Sequence, residues 1–266
     1  MNPQTPSQPP GKVSFRVRLP VEKPLWTYIL IGVNIAMYLV LEFTGGSGSA
    51  RNLIRFGANY APLVTEGEYW RLLTAGFLHI GVLHILFNMY ALYVLGRETE
   101  PVYGRARFIV IYLLSGICGS IFSYGLNQGL SAGASTSLFG LFGALAVFFY
   151  RQRKMLGAVG RQQLVSLGII LAINIVIDVS PGSGIDIWGH AGGLIGGVLL
   201  SWVLCPVYTA SEQIANTFSS AAGAAATELP SIVLIDTNPL RKQALNVGLF
   251  GAGLVVLTLI ARLLQT

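Results

Sequence analysis

Charge is what this chain has least of. Only 11% of its 266 residues are Asp, Glu, Lys or Arg, against 53% hydrophobic ones. That balance excludes a single water-soluble core and points to a polytopic membrane protein. Cysteine is almost missing as well: Cys118 lies within an apolar run and Cys205 at the end of another. Two such residues exclude a disulfide framework and metal-ligand spacing and read as packing residues. No Gly-rich loop with phosphate-binding spacing and no repeat of fixed period occurs. The net charge of +6 would suit nucleic acid, but the basic residues sit in short clusters between apolar runs, where orientation signals belong. No nucleic-acid partner is expected.

Long apolar runs are what the chain does have. They extend from about Leu25 to Leu41, Leu83 to Leu95, Phe108 to Tyr124, Ser135 to Tyr150, Leu164 to Ile177, Ile187 to Leu204 and Ala244 to Leu264. Seven helical spans are therefore expected, and the fold class is an all-α membrane helix bundle. Several runs are shorter than the ~20 residues that cross a bilayer, which suits a site reached by water below the lipid surface. Residues 1–24 are polar and Pro-rich, with no small-residue cleavage site after the first apolar run, so that run reads as an uncleaved anchor. Thr44 to Arg71, between the first two spans, is long enough to form structure of its own. Residues 206–243, rich in Ala, Ser and Thr, read as a flexible linker before a last helix at 244–266.

The basic residues orient the spans. With the N-terminus inside, Lys12, Arg16, Arg18, Lys23, Arg97, Arg105, Arg107, Arg151, Arg153, Lys154, Arg161, Arg241 and Lys242 all fall on the cytoplasmic side, leaving Arg51, Arg55, Arg71 and Arg262 opposite. This division selects the N-in topology; the membrane expected is the plasma membrane. It also carries His79, His84, Ser135 and His190 to the outer ends of their segments.

Those residues form the chemistry-bearing set. Ser135 opens a helix, so its N–H lacks an intrahelical acceptor and the positive end of the helix dipole lies beside it, a position that favours a developing oxyanion. Gly133 removes a side chain next to the hydroxyl. A bare Gly-x-Ser is more often simply a turn and N-cap. His190 shifts that balance, because Gly189, Gly193, Gly197 and Ser201 make one smooth helix face and Gly140, Gly143 and Ala144 another. Close packing of those faces would bring imidazole and hydroxyl together, as an activated serine requires. His84 and Asn88 share one face of the second span and can donate hydrogen bonds, either to an oxyanion or as interhelical glue. His79 lies off that face and reads as structural.

In joint order and spacing, Trp70-Arg71, His79, His84, Asn88, Glu100, Gly104, Arg107-Phe108, Gly133-Ala134-Ser135 and Gly189-His190-Ala191-Gly192-Gly193 resemble the rhomboid family of intramembrane serine proteases. The resemblance covers about Trp70 to Leu204. It implies a six-helix core over 25–205 plus an added seventh helix. It also implies a catalytic dyad of Ser135 as nucleophile and His190 as general base, with His84, Asn88 and the Ser135 amide as oxyanion donors. Phe139 matches the aromatic position that packs on the catalytic imidazole, and Gly133 is a supporting residue that lets a substrate backbone approach the hydroxyl closely. Trp70, Arg71 and Glu100 are expected to fix the outer loop and the inner end of the second helix.

The implied substrates are transmembrane proteins cleaved near the outer leaflet within the lipid bilayer, without metal or cofactor. One departure from the family pattern is Thr136, where Gly usually follows the nucleophile; a β-branched residue there could narrow the site. A catalytically inactive relative that binds membrane clients is the alternative reading. Asp178 and Asp186 are expected to be solvated at the interface, with no acid completing a triad, and Pro181 to Gly184 reads as a flexible cap.

Overall fold

A computed structural model describes residues 16–18, 22–127, 129–180, 184–210 and 231–265. Each of the seven apolar runs lies in its own helix: α1 (Trp26–Thr44), α5 (Gly81–Tyr103), α6 (Arg105–Leu126), α7 (Ser135–Arg151), α8 (Arg153–Asp178), α9 (Ile187–Leu204) and α10 (Ala244–Leu263). Between α1 and α5 come α2 (Ala50–Arg55), α3 (Ala61–Thr65), α4 (Arg71–Thr74) and a 3-10 turn at Ala75–Phe77. Five helices are long and apolar enough to cross a membrane. The bent pair Arg71–Phe77 and Gly81–Tyr103, turned by 92°, makes a sixth, and Ser135–Arg151 is a shorter apolar helix. The protein is a polytopic membrane helix bundle.

The expectation of several short spans is corrected. The run at Leu83 to Leu95 sits in a 23-residue helix, and that at Leu164 to Ile177 in the part of α8 that follows a kink at Gly157, where φ is 55°. Helix continues through the charged residues Arg97, Glu98, Glu100 and Arg161, which hydropathy alone ends. Of the seven, α7, at 17 residues, is the one that stays too short for a membrane span. At 1.5 Å per residue α7 is ~26 Å long, less than the ~30 Å hydrocarbon core. The helix that begins with Ser135 is therefore the short one among the seven.

A second unit is built from β1 (Arg16–Arg18), β2 (Tyr208–Ala210) and β3 (Ser231–Asp236), in the order β1-β3-β2. β1 runs parallel and β2 antiparallel to β3. Two strands thus lie in the stretch read as a linker, whose residues 211–230 fall outside the described residues. The apolar run Ile232-Val233-Leu234-Ile235 is too short to stand out beside an Ala- and Ser-rich segment.

In the helical unit the centre is the contact among α6, α7 and α9, and glycine makes it possible. A Cβ at Gly193 would stand 2.1 Å from the Thr136 carbonyl oxygen, and one at Gly197 would stand 2.2 Å from that of Gly140. The smooth faces foreseen on α7 and α9 do meet backbone to backbone. α6 supplies a third wall that sequence reading did not assign. Cβ atoms at Gly116 and Gly119 would meet Ser137 Oγ at 2.2 Å and the Gly189 carbonyl oxygen at 2.5 Å. At the far end, Glu100 of α5 caps α1. Its carboxylate accepts the N–H groups of Leu25, Trp26 and Thr27, each at 2.8 Å, and the Thr27 hydroxyl at 2.7 Å. A buried anion at a helix N-terminus satisfies orphan donors and the dipole together.

Candidate active site

Ser135 is the first residue of α7, so its N–H has no acceptor inside the helix. The turn before it is held twice. The Gly133 N–H donates to the Ala75 carbonyl at 2.9 Å, and the Ala134 N–H to His79 Nε2 at 3.4 Å. His79 is fully buried and edge-on to His84, with 5.2 Å between ring centroids. Its expected structural role is thereby given a concrete form. Gly133 has φ 142°, and a Cβ there would lie 2.8 Å from both Cε1 and Nε2 of His84 and 3.7 Å from Ser135 Oγ. The bare α-carbon makes room for the His84 ring, which flanks the same point as the serine hydroxyl.

The tautomer of His84 follows from its neighbour. The Ile80 N–H donates to His84 Nδ1 at 3.2 Å, so the lone pair is on Nδ1, and the neutral ring carries its proton on Nε2. The nitrogen that borders the Gly133 turn is thus a donor. Asn88, one turn further along α5, is buried and spends one N–H on the His84 carbonyl at 2.9 Å. Its Oδ1 is buried with no partner among the described residues.

His190 lies in the first turn of α9 and is buried. Phe139, one turn after Ser135, stacks on it with 4.2 Å between centroids and 21° between planes. The face of the imidazole is therefore fixed by the helix that carries the serine. Among the described residues no hydrogen bond joins Ser135 Oγ to His190; in substrate-free sites such contacts are often long and tighten in the complex.

The expected solvation of both aspartates is corrected. Asp178 is 8% exposed, and its Oδ2 lies 2.7 Å from His190 Nδ1. Asp186 is the N-cap of α9 and accepts the Gly189 N–H at 3.0 Å. The contact at Asp178 was missed because α8 and α9 are joined by a loop whose path spacing does not reveal. The available signal was an acid ending an apolar helix with no basic residue beside it. Of the proposed cap, residues 181–183 lie outside the described residues.

Thr136 does not face the serine hydroxyl. Cβ atoms at Gly119 and Gly189 would come 2.8 Å from its Cβ and 3.1 Å from its Cγ2, so its side chain fills the seam toward α6 and α9. Arg71 braces the segment between α1 and α5. It pairs with Glu68 at 2.6 Å, donates to the Ile54 carbonyl at 2.6 Å and stacks on Trp70 with its guanidinium 4.6 Å from the ring. Glu100 instead serves α1, as described above.

Chemically, the N-terminal ends of α5, α7 and α9 gather a hydroxyl, a helix-terminal N–H, a histidine donor and a second histidine with its Nδ1 engaged. A family model described as the Rhomboid domain matches residues 66–207. The chain is 43% identical over 178 residues to the rhomboid protease GluP of Bacillus subtilis, covering 66% of this chain and 34% of that protein. It is 37% identical over 158 residues to RHOMBOID-like protein 7 of Arabidopsis thaliana, covering 59% and 50%. A putative rhomboid protease of B. subtilis, YdcA, is 34% identical over 143 residues, covering 53% and 69%. The chain thus spans a third of GluP and half of RHOMBOID-like protein 7.

Proposed function

The chain belongs to the rhomboid family, and on that premise we propose that it is an intramembrane serine endopeptidase that hydrolyses transmembrane protein substrates near the outer leaflet. The observation that carries this reading is the stacking of His190 on Phe139, one turn from Ser135 on the same helix. His190 Nε2 removes the proton from Ser135 Oγ as the oxygen attacks the scissile carbonyl. The tetrahedral oxyanion is held by the Ser135 N–H, His84 Nε2–H and an N–H of Asn88, donors of a kind worth ~2.7–4 kcal/mol each. The imidazolium then gives its proton to the leaving amine, and water enters by the same base to release the acyl group. No metal or cofactor takes part.

The N-terminus is cytoplasmic in this reading, on the strength of the divided basic residues, and the membrane proposed is the plasma membrane. The alternative, an inactive client-binding relative, drew its support from Thr136. With that side chain taken up between Gly119 and Gly189, Thr136 lends it none. The deciding experiment is labelling by a fluorophosphonate probe in detergent beside a Ser135→Ala control, together with cleavage of a model membrane substrate. Wild-type labelling and cleavage, both lost in the control, are expected; an unlabelled wild type that binds but does not cut the substrate overturns the reading.

A further inference from the structure

We propose that Asp178 is a positioning residue that sets the tautomer and orientation of His190, extending the Ser-His pair into a Ser135–His190–Asp178 relay. The inference rests on the reading of His190 as general base. The carboxylate oxygen Oδ2 stands 2.7 Å from His190 Nδ1, and both residues are 8% exposed. A carboxylate only accepts, so Nδ1 carries the hydrogen and the lone pair is left on Nε2. That is the form a base needs in order to take the serine proton. His84, whose Nδ1 accepts from the Ile80 N–H, is held in the opposite form. Two histidines at one end of the bundle are thus set by their Nδ1 partners to opposite tasks, one to accept a proton through Nε2 and the other to donate a hydrogen bond.

Packing alone is a poor account of Asp178. Among the described residues α8 buries only Gly160, Leu167 and Asp178. A carboxylate is thus one of the few groups with which α8 enters the interior. It sits in the last turn of that helix, where the dipole opposes a negative charge, and taking a carboxylate out of water carries a desolvation cost of its own. The placement is costly twice over. Phe139 fixes the face of the imidazole and Asp178 fixes its edge, so the ring is left little freedom to turn.

The test uses the full chain in detergent, with Asp178→Asn and Asp178→Glu beside wild type, and kcat and KM measured on a model membrane substrate. Asp178→Asn should lower kcat by up to ~10⁴-fold, the loss this change causes in a soluble triad, with KM nearly unchanged. Asp178→Glu, which keeps the carboxylate, should recover part of that loss. Turnover of folded Asp178→Asn equal to wild type, or no difference between the two variants, overturns the proposal. In parallel, ring ¹⁵N shifts of His190 in ¹⁵N-histidine protein should report the Nδ1–H form in wild type and its loss in Asp178→Ala. Unchanged shifts overturn the proposal. If wild type neither cleaves nor labels, the protease reading fails, and the ¹⁵N comparison alone decides whether Asp178 sets the His190 tautomer.

Discussion

Phe139 and His190 lie ring on ring, 4.2 Å apart and nearly parallel. The contact links α7 to α9 at the level of Ser135, so the helix that presents the hydroxyl also restrains the imidazole. Such a restraint lets the glycine-lined seam below it act as a positioning device, because any slip of α9 along α7 would move His190 away from Phe139.

Phe139→Ala should therefore weaken turnover without removing the chemistry. Aromatic pairs contribute ~0.5–1.5 kcal/mol beyond buried area, and if that restraint is fully expressed in the transition state, kcat should fall by ~2–10-fold. Phe139→Tyr, which keeps the ring, should stay near wild type. Steady-state cleavage of one model substrate by both variants checks the difference.

Ser135→Ala and His190→Ala should each reduce proteolysis to background. Because the two act as one unit, the double variant should be scarcely worse than either single one. Independent, multiplicative losses would argue against a shared step. Folded protein must be quantified alongside, since His190 also packs the bundle.

The glycine seam predicts a stability difference. Gly197→Ala forces a methyl to within 2.2 Å of a backbone oxygen of α7, whereas a Cβ at Gly251 of α10 meets nothing within 4 Å. Overpacking of this kind costs ~1–3 kcal/mol. Thermal denaturation in detergent should show Gly197→Ala clearly less stable than wild type and Gly251→Ala unchanged. Equal behaviour would mean that α7 and α9 are not in backbone contact.

Much of this was legible in the residues. Seven apolar runs gave seven helices because burying a helix in lipid imposes a continuous hydrophobic stretch. The four-residue spacing of Gly189, Gly193 and Gly197 gave the α7–α9 seam because small residues on one face permit close approach. Helix ends were less legible: charged residues such as Glu100 continue a helix while ending a hydropathic run. The pairing of Asp178 with His190 left only an indirect signal, an acid at the end of an apolar helix, and the His79 contact to Ala134 left none. Both depend on how loops return the chain, and a distance across two elements leaves no periodic trace. Gly133 was found for one reason and matters for another, since the space beside it belongs to the His84 ring.

The N-in orientation can be read directly. Cys118 and Cys205 are both buried, so the native background of thiol labelling should be low. A cysteine introduced at the exposed Ser180 should react with an impermeant thiol reagent applied to intact cells, and one at the exposed Lys154 only after permeabilisation. The reverse pattern would put the Ser135 end of the bundle on the cytoplasmic side.

Asn88 separates transition-state stabilisation from mere adhesion between helices. Its one described hydrogen bond runs to the His84 carbonyl of its own helix, so it ties no other helix to α5 and its removal should leave the bundle intact. Asn88→Ala keeps nucleophile and base while deleting one oxyanion donor; turnover should fall by ~10²–10³-fold while substrate binding changes little. If Asn88 serves only the local geometry of α5, the same change should lower the denaturation temperature and leave turnover of the folded fraction near wild type. Measuring kcat and thermal stability on one preparation decides between them. A loss of stability with unchanged kcat would leave the oxyanion to His84 and the helix-terminal N–H of Ser135 alone.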